Sequence, residues 1–250
     1  MSKHLRIWLF ALLATLLASN TLLAQGVITM TTSKAVGETV KLRIEANGNV
    51  TIEGVKELPQ LGKDKKNYTL TSQTITFHGD VTKLDCSDNQ LTSLDLPKST
   101  VLTWLWCSGN QLTSLDLSNN TALTTLDCSG NQLTSLNFSG CTALTTLSCG
   151  GNQLTSLDMS KNPALYYLDC SENQLTSLNI SGCAKLTVIG CYSNYIKGKA
   201  MTKLVNSLPN RRRKSSGAIL LVDNSPEKRD KNRCSPADVT ISEKKNWSVL

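Results

Sequence analysis

The chain has 250 residues, a net charge of +7, nine cysteines and two histidines. That length is ample for a continuous core, the odd cysteine count strains a pure disulfide framework, and so few histidines leave little room for imidazole-based catalysis or zinc binding. The charge is uneven: residues 25–80 carry 7 basic and 6 acidic side chains, residues 81–194 carry 4 and 8, and residues 195–250 carry 13 and 5, so the basic character belongs to the C-terminal quarter.

The N-terminus decides the compartment. Lys3 and Arg6 precede an almost unbroken apolar run, Ile7–Ala18, and a short polar break ends at Ala24. A positive start, a short apolar stretch and a small residue at the cut read as a secretory signal peptide over residues 1–24, removed near Ala24. The run is short of the ~20 residues of a membrane span, and no second apolar span follows. A secreted or cell-envelope location is therefore expected.

Residues 25–80 alternate in short apolar and polar steps: Val27–Thr32, Thr39–Glu45, Asn49–Glu53 and Tyr68–Phe77. Asn47–Gly48 between two such runs predicts a hairpin. The segment reads as an all-β N-terminal cap.

A strict repeat then begins. Cys86, Cys107, Cys128, Cys149, Cys170 and Cys191 lie 21 residues apart, and so do Asn89, Asn110, Asn131, Asn152, Asn173 and Asn194. One unit, Leu123–Ala143, reads LxxLxCxxNxLxxLxLxxN/CxA, the leucine-rich-repeat signature with cysteine in place of the third leucine. Leu126 and Cys128 alternate with Thr125, Asp127 and Ser129, the period-2 pattern of a short strand with one buried face. Stacked units line up Leu123, Leu126, Cys128, Leu133, Leu136 and Phe138 with their equivalents, because one turn alone cannot bury them. The asparagine column is placed to satisfy backbone groups at a buried bend. In the second half-turn, Asn120, Cys141, Asn162 and Cys183 share another bend position.

The motif LxxLxCxxNQLTSLDLS resembles the internalin-type leucine-rich repeats of bacterial surface and secreted proteins, in particular their cysteine-ladder subgroup; it covers residues 81–194. The resemblance implies a curved right-handed solenoid with a parallel β-sheet, and a role in protein recognition or adhesion. With no cell-wall sorting motif or added C-terminal domain in view, a soluble secreted or periplasmic monomer is expected.

After Asn194 the period fails. Gly198–Leu208 carries apolar residues at helical spacing and stops at Pro209, Ala218–Val222 reads as a strand, Ser235–Lys245 as a helix with a Ser-Pro start, and Trp247–Leu250 as a last strand. Residues 195–250 form a small α/β C-terminal cap. The basic clusters Arg211–Lys214 and Glu227–Arg233 fall in its loops as solvated surface.

Little here suggests chemistry. His78 is the one histidine left after the signal, at the end of a cap strand, and no HExxH, GxSxG, P-loop or CxxC motif occurs. No catalytic residue, cofactor or metal site is expected. Asp85, Asp127 and Asp169 occupy alternate rungs, ~9–10 Å apart by strand spacing, with no sign of a pocket that would raise a carboxyl pKa.

The informative feature is variation within the repeat. Leu-Thr-Ser-Leu of the second half-turn recurs in five rungs, whereas the outward columns of the first half-turn differ: Lys83, Trp104, Thr125, Thr146, Tyr167, Val188 in one and Asp85, Trp106, Asp127, Ser148, Asp169, Gly190 in the next. Tyr166 and Tyr192 add to that face. Leucine-rich repeats present this strand on their concave side, and exposed Trp and Tyr are frequent binding hot spots. Lys83, Trp104, Trp106, Tyr166, Tyr167 and Tyr192 are the candidate partner-binding residues, for a protein or glycan at a cell surface rather than nucleic acid. Two other readings stand beside this one: packing of Trp104 and Trp106 against the N-terminal cap in an envelope scaffold without a ligand, and a carbohydrate-binding module.

Overall fold

The computed structural model describes residues 26–97, 99–212, 215–221 and 231–249. The signal peptide read at 1–24 lies outside them, as do Arg213, Lys214 and residues 227–230 of the two basic clusters.

The N-terminal cap is all β: β1 (Val27–Thr32), β2 (Thr39–Glu53), β3 (Lys66–Thr69) and β4 (Thr74–Asp85). Its alternation is read out directly, with Ile28, Met30, Val40, Leu42, Ile44, Ile75 and Phe77 buried. The hairpin expected at Asn47–Gly48 does not form. Both arms of β2 pair with β4 instead of with each other, and the chain bulges between Asn47 and Thr51, where Gly48 has φ 87°. The run Tyr68–Phe77 is likewise not one strand; a turn separates β3 from β4.

Strand β4 is the hinge of the architecture. Its first half pairs with β1, and its last three residues, Lys83–Asp85, pair in parallel with the first regular rung, so the strand crosses position 80/81 unbroken. Strand β1 also pairs with β5 (Leu91–Asp95), so one strand covers the edges of both half-turns at the end of the core.

The rungs follow as β6 (Trp104–Trp106), β7 (Ser114–Asp116), β8 (Thr125–Asp127), β9 (Ser135–Asn137), β10 (Thr146–Ser148), β11 (Ser156–Asp158), β12 (Tyr167–Asp169), β13 (Ser177–Asn179) and β14 (Val188–Gly190). The even-numbered strands form one parallel sheet in unbroken 21-residue register, for example Leu126↔Leu147↔Leu168. The odd-numbered strands behave differently: β7 pairs with β9 and β11 with β13, in two separate ladders. The core between the two half-turns is a continuous stack of leucines and cysteines.

Beyond β14 come α1 (Lys199–Ser207), β15 (Gly217–Leu220), α2 (Pro236–Lys244) and β16 (Trp247–Val249). Ser235 and Asp238 close a reciprocal capping box around the start of α2, with Pro236 in the first turn. Strands β15 and β16 continue the parallel sheet from β14, so the C-terminal cap is built partly of further, irregular rungs.

Candidate functional site

The sheet face is held in position by side-chain ladders that join each rung to its neighbours. Asn152 is representative: its Nδ2 donates to the carbonyls of Cys128, Cys149 and Gly150 at 3.1, 3.1 and 3.3 Å, and its Oδ1 accepts from Leu133 N at 2.9 Å. Asn110, Asn131, Asn173 and Asn194 repeat this pattern. At the start of the array Asn89 turns the same amide onto Lys41 of the cap. At the far end Asn232 accepts from Ile196 N and donates to Cys191 O and Leu221 O, in the role of a further ladder asparagine. Regular spacing could not reveal Asn232, because extra residues separate it from Leu221, which stands where the ladder cysteine would.

The cysteines Cys86, Cys107, Cys128, Cys149, Cys170 and Cys191 form a fully buried column, and none of the nine cysteines is in a disulfide. Burial pushes the Cys86 thiol up to about 12, and Cys107, Cys149 and Cys170 well above their ordinary value. These are protonated packing groups, not nucleophiles. Cys141 and Cys183 act across rungs: Cys141 Sγ donates to Leu117 O and Asn120 O at 3.4 and 3.5 Å, and Cys183 Sγ to Met159 O at 3.2 Å.

A threonine ladder escaped the sequence reading. Thr103, Thr124 and Thr145 each donate a hydroxyl to the carbonyl one rung earlier, at 2.9–3.0 Å, as does Thr187 at 2.8 Å. Its signal was present as a column of threonines 21 residues apart. Tyr166 interrupts it: only its backbone reaches Thr145 O.

Upon this frame the six candidate residues fall into two groups. At the cap end, the Trp104 and Trp106 rings meet at 4.1 Å between centroids, and the Arg43 guanidinium lies 4.9 Å over Trp104. Lys83 Nζ pairs with Glu45 at 2.9 Å, and Arg43 Nε donates to the same carboxylate at 3.1 Å. Arg43 and Lys83 hold the Glu45 carboxyl below its usual range. Trp104 is thus half-buried under a cap residue, while Trp106 stays 39% exposed. Lys65 of the cap also pairs with Asp85 at 2.9 Å.

Three rungs away, ~14 Å by strand spacing, stand Tyr166, 49% exposed, and the half-buried Tyr167; the half-buried Tyr192 lies one rung further. Burial raises the Tyr167 phenol pKa, with the charges of Asp169 and Asp127 adding to it. The pairs Trp104/Trp106 and Tyr166/Tyr167 share one side of the solenoid but no common pocket.

His78 faces Glu53 at 3.3 Å in the cap. Of the basic clusters, Arg211 is 5% exposed: its guanidinium donates to Leu186 O and Ser215 O at 3.0 Å and lies 5.9 Å from the Trp247 ring. Arg212 Nε donates to Lys244 O at 2.6 Å. Arg211 therefore seals the last rung to the cap and is not the solvated loop residue expected.

The sequence profile of the leucine-rich-repeat family, in its two-copy form, matches residues 100–140 and 121–162. No curated protein matches the chain. Among solved structures, the functional domain of InlJ from Listeria monocytogenes, which includes a cysteine ladder, is 31% identical over 56% of this chain and 34% of its own, with a TM-score of 0.41. The internalin InlF of the same species is 18% identical over 61% and 42%, TM-score 0.48. A leucine-rich-repeat protein of Leptospira interrogans is 17% identical over 61% and 44%, TM-score 0.40. The chain spans less than half the length of these three structures. The fold and its ladders define a leucine-rich-repeat solenoid. In its column of buried cysteines the array is similar to the InlJ domain. Among the described residues no helix is long and apolar enough to cross a membrane.

Proposed function

We propose that this protein is an exported recognition or adhesion module that binds a protein or glycan at a cell surface, without catalysis, through the aromatic side of its long sheet. The observation that carries the reading is where the exposed apolar side chains of the array lie. Trp106, Tyr166 and Val188 all belong to the first half-turn, on or directly beside the even-numbered strands. Tyr166 further displaces a threonine that elsewhere donates a rung-to-rung hydrogen bond, so its ring is not needed for stacking. Large aromatics exposed on one side of a periodic scaffold act as anchors when a partner desolvates them.

The test is capture of the partner from intact cells or cell-surface extracts by the purified protein, compared with a Trp104→Ala/Trp106→Ala/Tyr166→Ala/Tyr167→Ala variant of unchanged circular dichroism. Binding should fall at least ~10-fold, as expected for loss of several hot-spot aromatics. Unchanged binding by the folded variant would remove the sheet face from consideration and leave the scaffold reading.

A further inference from the structure

The same face carries two carboxylates that form no ion pair among the described residues. Asp127 on β8 and Asp169 on β12 stand in one column with Ser148 of β10 between them in register, two strand steps or ~9.6 Å apart. Asp127 Oδ1 accepts from the Ser129 amide and hydroxyl at 3.0 and 2.6 Å, and Asp169 Oδ1 from those of Ser171 at 3.0 and 2.7 Å. These bonds fix both carboxylates without neutralising them, and neither forms an ion pair among the described residues. The cap end is different: Asp85, at the head of the same column, is paired with Lys65, and Glu45 with Arg43 and Lys83. From Trp104 to Gly190 the two outward columns contain no lysine or arginine.

Space around Asp169 is kept clear. A Cβ on Gly190 would lie 3.0 Å from Asp169 Oδ1, and one on Gly150 3.5 Å from Oδ2. The aromatic rings flank the pair, Trp106 one rung before Asp127 in the same column and Tyr167 on the strand of Asp169. Fixed negative charge beside aromatic faces is the chemistry that selects a cation on an apolar stem.

We propose that this face holds an extended basic segment of a protein partner, with lysine or arginine side chains seated on Asp127 and Asp169 and apolar side chains beside them, one against Trp106 and another against Tyr167. The proposal rests on the face reading above and narrows its ligand from protein or glycan to a cationic polypeptide. An extended chain advances ~3.3 Å per residue and turns every second side chain to the same face, so cations two residues apart (~6.6 Å) or four apart (~13 Å) both face the sheet, and their flexible stems reach two carboxylates ~10 Å apart. A neutral glycan donates hydroxyl hydrogen bonds to carboxylates but brings no compensating charge, and an acidic one is repelled, whereas acids without an ion-pair partner along a face steer cationic partners toward it.

The probe is a fluorescein-labelled lysine decamer, titrated with the purified protein and read by anisotropy, beside a glutamate decamer and an N-acetylglucosamine hexamer. Asp127→Asn/Asp169→Asn retains the oxygen that accepts from Ser129 and Ser171. Asp116→Asn/Asp158→Asn makes the same charge change at the same 42-residue separation on the opposite half-turn. The lysine decamer should bind, the glutamate decamer should not, and the first pair should weaken binding roughly tenfold while the second changes it less than about twofold. Equal losses from the two pairs, or no binding of the lysine decamer to the unaltered protein, would overturn the proposal. So would a dimer in sedimentation that dissociates only in Asp127→Asn/Asp169→Asn, since the face would then be covered by a second copy. If the hexamer binds and loses affinity in the four-aromatic variant but not in Asp127→Asn/Asp169→Asn, the face reading stands and the basic segment fails. If the four-aromatic variant binds every probe and the cell-surface partner as before, the face reading itself fails.

Discussion

Asn152 makes four hydrogen bonds from a buried site. Replacing it by alanine leaves Leu133 N and several carbonyls without their partner, and each buried unpaired group costs ~1–3 kcal/mol. Asn152→Ala should therefore lower stability by about 3 kcal/mol or more in urea unfolding, while Lys161→Ala, on an exposed turn, should stay within ~0.5 kcal/mol. Equal effects would mean that the ladder does not join the rungs. The thiols make a second prediction. Burial raises Cys86 to about 12, and Cys141 and Cys183 to about 11. In the unfolded chain these thiols ionise near ~8.5. Between those values the unfolded state has lost protons that the native state keeps, so the thiols' contribution is complete below ~8.5 and is lost as pH rises toward 11. The urea midpoint should fall steadily from pH 7.5 to 10.5, and a flat profile would contradict the burial of the column. At neutral pH a thiol reagent should label the ladder only after denaturation.

Strands β7 and β9 come together because Gly140 has no side chain. A Cβ there would sit 1.9 Å from Ser118 O, and one at Gly182 would sit 1.9 Å from Ser160 O. The equivalent positions in the other rungs, Asn119 and Lys161, carry long side chains, and no ladder joins β9 to β11. Polar partners follow the same alternation: Asn137 Nδ2 donates to Asp116 at 3.0 Å and Asn179 Nδ2 to Asp158 at 2.9 Å. The second half-turn therefore has a 42-residue period inside the 21-residue one. Gly140→Ala should cost ~1–3 kcal/mol, as overpacking does, and should speed hydrogen exchange at the Leu117 amide, which donates to Asn137 O. An unchanged Leu117 exchange rate would show that the close approach is not what pairs the strands.

Over the whole molecule one core runs from the β cap to Trp247, so neither cap is an independent unit. Leu147, at the centre, is fully buried. Leu147→Ala should cost ~2–5 kcal/mol by opening a cavity, and unfolding should remain one transition by tryptophan fluorescence, which reports Trp104 and Trp106 near one end and Trp247 at the other. Two separated transitions would mean that the array melts apart from a cap. Arg211 is part of this continuity, since it carries the carbonyl of Leu186 in the last rung into the C-terminal cap.

The period of 21 was legible because every rung meets the same environment, so the same residue types recur at Cys128, Asn131, Leu126 and their equivalents. Strand direction, the buried columns and the variable side of the solenoid followed from that alone. Recurrence carries no information about what happens once. The pairing of both β2 arms with β4, the closure of both half-turns by β1, the salt bridges that draw Lys83 and Asp85 into the cap, and the service of Asn232 as a displaced ladder asparagine all depend on segments distant in sequence meeting in space. The candidate face divides along the same line. Its aromatics stood out as departures from a repeat, whereas only the tertiary structure determined which of its charges are paired by the cap and which, Asp127 and Asp169, form no ion pair among the described residues, because a carboxylate's counter-ion is set by distance through space rather than by its place in the repeat.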